Sequence, residues 1–165
     1  MFKKLFGFGS KTNAETIVSP LTGEVKNIEE VPDPVFAGRM MGDGVAIEPT
    51  EGVVVSPVDG EIVQLFHTKH AIGIKAKNGA EILIHIGLET VNMAGEGFET
   101  YVSEGQAVKA GDKLISFDLE LIREKAKSTI TPIVITNTDA TESIKTTIGV
   151  AATKGSTGVM KVTMK

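Results

Sequence analysis

Residues 17–25 read IVSPLTGEV and residues 54–62 read VVSPVDGEI, the same phrase 37 residues apart with five of nine positions identical. In each copy a proline fixes φ and withholds a ladder donor, and a glycine three residues on allows a turn that other residues resist. The chain is therefore expected to turn between strands in the same way twice. Neither copy contains a histidine or a cysteine, so the repeat reads as paired turn chemistry that frames a site elsewhere.

The rest of the chain extends that pattern. Eighteen glycines and six prolines punctuate short segments rich in Val, Ile and Thr, which suit a pleated, half-buried surface. Strands are predicted at 16–18, 24–28, 45–48, 53–55, 61–67, 71–76, 80–86, 114–117, 132–137, 146–150 and 159–164. Only DLELIREKAKS (118–128) reads as a helix, with Asp118 as its N-cap. The expected fold is all-β, an antiparallel β-sandwich or barrel with an internally duplicated motif and one or two short helical turns. Residues 1–15 are expected to form a flexible tail, and residues 16–165 a single domain.

Composition removes several functions. A net charge of −4 without a basic run leaves no nucleic-acid footprint. The absence of cysteine excludes thiol chemistry and makes the cytoplasm the expected compartment. No apolar run approaches the roughly 18 residues of a membrane span. In the tail, Phe2, Leu5 and Phe6 share a helical face beside Lys3 and Lys4, a pattern for weak contact of residues 1–9 with anionic lipid; Gly7 and Gly9 oppose that helix.

The three histidines all lie in FHTKHAIGIKAKNGAEILIHIGLET (66–90). Asn78-Gly79 between two β-rich runs signals a hairpin with a two-residue turn. In that register Ile72 faces His85, and Phe66, Thr68, His70, Ile72, Leu83 and His85 share one face of the sheet. His70 then lies diagonal to His85, within side-chain reach. A three-residue turn would shift the register by one and send His85 to the other face. The pair has three readings: two satisfied polar residues, a partial metal site, or a nucleophilic imidazole assisted by its neighbour and the Thr68 hydroxyl. No ATP-binding signature accompanies it, so a phosphoryl donor would have to be another protein.

Beyond these inferences, the chain closely resembles the glucose-class enzyme IIA components of the bacterial phosphoenolpyruvate-dependent sugar phosphotransferase system. The resemblance runs through SPLTGEV, VPDPVFAGRMMGDGVAIEP, VVSPVDGEI, FHTKHAIGI, ILIHIGLETV, GEGFE, VSEGQAVKAGDKLISFDLELI and EKAKSTITPIVITN. It implies a β-sandwich in which His85 is phosphorylated on Nε2, His70 assists transfer, and Thr68 hydrogen-bonds within the pair. It further implies an apolar docking ring of Val35, Phe36, Phe66, Leu83 and Ile86, with Asp33 and Glu89 as acidic rim residues, the latter where relatives often carry Asp. His67 reads as a bystander.

The implied partners are the phosphocarrier HPr as donor and a cysteine on the IIB domain of a sugar permease as acceptor, with regulatory proteins as further targets. No cofactor is implied, and a zinc ion would be held by His70 and His85 only with a partner's carboxylate. Two other classes compete: a regulatory binding module that never passes phosphate on, and a lipoyl or biotinyl carrier suggested by SEGQAVKAGDKL and VMKV. The last fails because Lys161 lies four residues from the end of the sequence and leaves no second strand for a hairpin tip.

Overall fold

The Val, Ile and Thr segments become strands throughout the computed structural model, which describes residues 13–165. In chain order these are β1 (Ala14–Val18), β2 (Gly23–Asn27), β3 (Asp43–Pro49), β4 (Val53–Val55), β5 (Gly60–Leu65), β6 (Ala71–Ala76), β7 (Glu81–His85) and β8 (Phe98–Thr100). They continue as β9 (Ala107–Val108), β10 (Lys113–Phe117), β11 (Thr131–Ile135), β12 (Thr141–Thr146), β13 (Ala151–Ala152) and β14 (Gly158–Met164). Two short helices interrupt them, α1 (Pro34–Ala37) and α2 (Leu119–Lys125). The described strands form an eight-stranded sheet in the order β13-β2-β3-β11-β7-β6-β5-β9 and two three-stranded sheets, β1-β14-β12 and β4-β10-β8. The result is an antiparallel β-sandwich, and no barrel closes.

One face of the large sheet, with Ile47, Ile72, Ile74, Ile82, Ile84 and Ile133, packs into the main core with residues of all three sheets. On the other face Ala46, Ala71, Leu83 and Val134 form a smaller cluster under Ile28, Val31 and Phe36. In β3, β6, β7 and β11 alternating residues therefore feed two separate apolar layers.

The repeated phrase forms a pseudo-two-fold frame. Val18 N–H donates to Pro57 O (3.1 Å) and Val55 N–H to Pro20 O (2.9 Å), so the copies bind each other reciprocally. Ser19 Oγ donates to Leu21 O and Ser56 Oγ to Val58 O, both from buried positions. Gly23 and Gly60 are not at positive φ. They are needed for close approach, because a Cβ on Gly23 would lie 2.1 Å from Glu48 O and one on Gly60 2.2 Å from Lys75 O.

The symmetry reaches further than the phrase that announces it. Ile62 N–H donates to Gln106 O and Gly111 N–H to Ser56 O; Val25 N–H donates to Val150 O and Gly155 N–H to Ser19 O. Hence GQAVKAG (105–111) and GVAATKG (149–155) are a second repeated pair, each clasping one copy of the first. The large sheet is read the same way from either end, with its axis between β11 and β7, where Ile133 faces Ile84.

Several boundaries move. Ala14 and Glu15, placed in the tail, pair with Thr163 and Val162 in β1. The proposed lipid-binding pattern of residues 1–9 lies outside the described residues. Of the expected strand at 146–150 only Thr146 lies in a strand, at the end of β12, which is at best half-buried and pairs with β14. Asp118 caps α2 by accepting from Leu121 N–H. The helix stops at Lys125 because Ala126 is extended and Lys127 N–H turns away to bond Leu88 O.

Candidate functional site

The hairpin that carries the histidines is one residue out of the expected register. Ala76 N–H donates to Ala80 O (2.8 Å) and Gly79 N–H to Ala76 O (3.0 Å), so Lys77, Asn78 and Gly79 form a three-residue turn with φ of 98° at Gly79. A two-residue turn would need positive φ at Asn78 as well. Here the Asn78 amide donates to Asn13 O and Val162 O while its oxygen accepts from Ala80 N–H, anchoring it in the turn it adopts. Ala71, not Ile72, therefore faces His85. Ile72 points into the main core, and His85 shares the outer face with Ala71 and Leu83.

The two histidines meet nonetheless, by another route. His70 precedes β6 and is released from strand alternation by Lys69, at a φ of 65°. Ile86 N–H donates to His70 O (2.7 Å), fixing the loop against the end of β7. The rings lie edge to face with centroids 4.9 Å apart. Thr68 Oγ1 is 2.7 Å from His70 Nδ1.

His85 Nδ1 lies 2.8 Å from Gly87 O. A carbonyl oxygen only accepts, so Nδ1 carries the proton and Nε2 keeps its lone pair. Gly87 has φ of 71°, and a Cβ there would meet Ser128 O and Thr90 Cγ2, each at 2.8 Å. Gly87→Ala is expected to cost at least about 2 kcal/mol of stability and, by moving the carbonyl that holds His85 Nδ1–H, to shift the His85 titration. A thermal melt beside an NMR titration checks both.

Burial, and secondarily the neighbouring His85, pushes the His70 pKa from 6.5 down to about 4. Burial also lowers that of His85, opposed by the Gly87 carbonyl and by Asp33. Both rings are thus neutral at pH 7. The unfolded chain binds more protons than the folded one between pH 6.5 and about 4, so stability falls as pH falls through that window, by roughly 3 kcal/mol for His70. Melting wild type and His70→Phe across this window should show a weaker acid dependence in the variant.

The wall of the site comes from α1. Asp33 caps it by accepting from Val35 N–H (2.9 Å), Pro34 occupies its first turn, and the Phe36 ring settles 5.1 Å from the His85 ring. Lys127 Nζ holds the approach to α1 by donating to Pro32 O, and Arg39 ties its exit to Glu29 and Asp43. Phe66 packs on the other side, 5.6 Å from the His70 ring.

The expected docking ring divides in two. Val35 is 38% exposed, and Phe66 is half-buried. Phe36 is buried but lies against His85, whereas Leu83, 7% exposed, belongs to the cluster beneath it. Ile86 is 0% exposed and lies in the main core, so it cannot dock a partner. It follows His85 in sequence and faces the opposite side of the sheet. Asp33 is half-buried at the rim, and Glu89 is exposed at a φ of 61°. Exposed Met40 (75%), Met41 and Val91 (51%) extend the apolar patch and were not singled out from the sequence. His67 is exposed, on a cleft it shares with Thr68, His70 and Val91. Among the described residues no three His, Asp or Glu side chains gather as a metal site, and no helix is long and apolar enough to cross a membrane.

Known proteins carry the same architecture. A sequence profile of the family described as phosphoenolpyruvate-dependent sugar phosphotransferase system, EIIA 1, matches residues 15–141. The chain is 92% identical over 165 residues to a PTS system glucose-specific EIIA component of Bacillus cereus, covering 100% of both. It is 56% identical over 165 residues to one of Staphylococcus aureus, covering 99% of each. Its fold matches the solved glucose permease IIA from Mycoplasma capricolum with a TM-score of 0.85 at 39% identity, over 95% of this chain and 99% of that one. The likeness spans both halves of the duplicated frame, and the chain belongs to the EIIA family of the phosphoenolpyruvate-dependent sugar phosphotransferase system, in which it is a phosphocarrier, a transferase component of sugar transport.

Proposed function

We propose that His85 Nε2 is the atom that carries the phosphoryl group, that HPr delivers it, and that a cysteine of a permease IIB domain removes it. The observation that carries this reading is the bond from His85 Nδ1–H to Gly87 O, which leaves Nε2 as the free nucleophile of a ring that is neutral at pH 7. In the first step the Nε2 lone pair attacks phosphorus as the donor's P–N bond breaks, and the proton on Nδ1 stays in place. In the second, a thiolate attacks phosphorus and His85 leaves as neutral imidazole. His70, close to neutral at every physiological pH, assists as a hydrogen-bond donor to the phosphoryl oxygens while Thr68 orients its ring.

The patch of Val35, Phe36, Phe66, Met40, Met41 and Val91 would seat the partners, with Asp33 and Glu89 meeting basic residues on them. The phosphoryl chain starts from phosphoenolpyruvate, and this reading puts the protein in the cytoplasm with residues 16–165 acting as one domain. Incubation with phosphoenolpyruvate, enzyme I and HPr should place one acid-labile phosphoryl group per chain on the peptide that contains His85. Label on His67 or His70, or none, refutes the assignment.

A further inference from the structure

Two side chains of the apolar patch beside His85 carry sulfur. Met40 is 75% exposed and Met41 40%, whereas Met93, Met160 and Met164, the other methionines among the described residues, are buried. The backbone holds the exposed pair out. Arg39 before it has φ of 59° and is bonded to both Glu29 and Asp43. Met40 N–H and Met41 N–H both donate to Val35 O, at 3.0 and 3.4 Å. Gly42 after it lies against β11, where a Cβ would come within 2.1 Å of Ile135 O. The two residues are thus pinned on either side, with their side chains left outside.

The unbranched, polarisable thioether repacks against different surfaces, which suits a carrier that receives from one protein and gives to another. The same atom makes the patch alterable without a change of sequence. Val35, Phe66 and Val91 keep their apolar character in an oxidant, whereas a thioether becomes a polar, chiral sulfoxide. With no cysteine in the chain to intercept an oxidant, the exposed thioethers are its first target.

We propose that Met40 and Met41 are a reversible oxidation site whose sulfoxides weaken docking of the phosphoryl donor and leave the chemistry at His85 intact. The oxidant is a peroxide. A sulfur lone pair attacks a peroxide oxygen, the O–O bond breaks and the S–O bond forms; with hydrogen peroxide the other oxygen leaves as water. Sulfur loses two electrons and the peroxide gains them. Methionine sulfoxide reductases reverse the step, a dithiol becoming a disulfide as the oxygen leaves in water. The inference rests on the reading of this patch as the seat of HPr. The His85 ring is set by Gly87 O, Phe36 and His70, and none of these contacts involves sulfur.

The test adds limiting hydrogen peroxide to the full chain, maps oxidised methionines by peptide mass, and measures KM and kcat of transfer from phospho-HPr before and after. One added oxygen should appear on each of Met40 and Met41 ahead of Met93, Met160 and Met164. KM should rise about fivefold while kcat, the melt and the NMR titration of His85 stay put, and the two reductases should return it. Met40→Leu combined with Met41→Leu, whatever its own KM, should show no further change on oxidation. That variant keeps every other methionine and so isolates the pair. Earlier oxidation of a buried methionine, an unmoved KM in protein oxidised at both sites, or an equal rise in the double variant overturns the proposal. An unoxidised wild type that takes no phosphoryl group from phospho-HPr refutes the docking reading itself; with that control intact, the other failures belong to the oxidation site alone.

Discussion

His85→Ala should accept no phosphoryl group, its label falling to background under conditions that fully charge wild type. The ring is half-exposed and touches Phe36 and His70 by ring contacts, each worth about 1 kcal/mol. The variant should therefore stay folded, and lost labelling with a near-normal melt separates loss of the nucleophile from loss of the protein. His70→Ala in parallel keeps His85 and should still charge. Residual labelling of His85→Ala would place the nucleophile elsewhere, with His70 first in line.

The second large effect is expected on delivery. His70→Ala should charge to the same end point, because a long incubation with excess donor hides a slower step. Its rate of passing phosphate to a IIB domain should fall on the order of a hundredfold, the usual effect of removing one donor from developing oxyanions. The effect is electrostatic: a ring whose pKa is about 4 supplies a neutral N–H and no charge. It can stabilise the oxygens as phosphorus moves without trapping the dianion in a tight ion pair. Stopped-flow delivery at wild-type speed by His70→Ala would remove this role.

How far these residues could be read in advance depended on the kind of signal each one gives. The paired turns announced themselves because Ser, Pro and Gly recur at fixed offsets, and the strands between them followed from Val, Ile and Thr. The second repeated pair stayed hidden because GQAVKAG and GVAATKG share only Gly, Ala and Gly; what they have in common is backbone geometry. Strands β8, β9 and β13, of three, two and two residues, are too short for alternation to register. The Asn-Gly turn misled because side-chain bonds from Asn78 to distant carbonyls, invisible in a local window, outweigh its turn preference. The histidine pair survived that error only because the left-handed Lys69 resets the alternation, and nothing in a lysine advertises positive φ. Met40, Met41 and Val91 look like core in a sequence, and only the fold leaves them outside.

The pseudo-two-fold axis between β11 and β7 divides labour between two halves of unequal content. Matching the pairings across it, Ala71 opposite His85 corresponds to Gly44 opposite Val134, so the place of His85 is held by a valine in the other half. That half spends its connection between β2 and β3 differently, running 28–42 over the outer face of the sheet and laying Phe36 on His85. On the proposed reading, most of the docking patch and the phosphoryl-bearing histidine lie on separate stretches of chain joined by one symmetric scaffold, with Phe66, against the His70 ring, belonging to both. Substitutions at Val35, Met40 and Met41 should tune which partners are accepted and at what concentration, while those at Thr68, His70 and His85 tune turnover. Such a carrier would acquire new clients without retuning its chemistry.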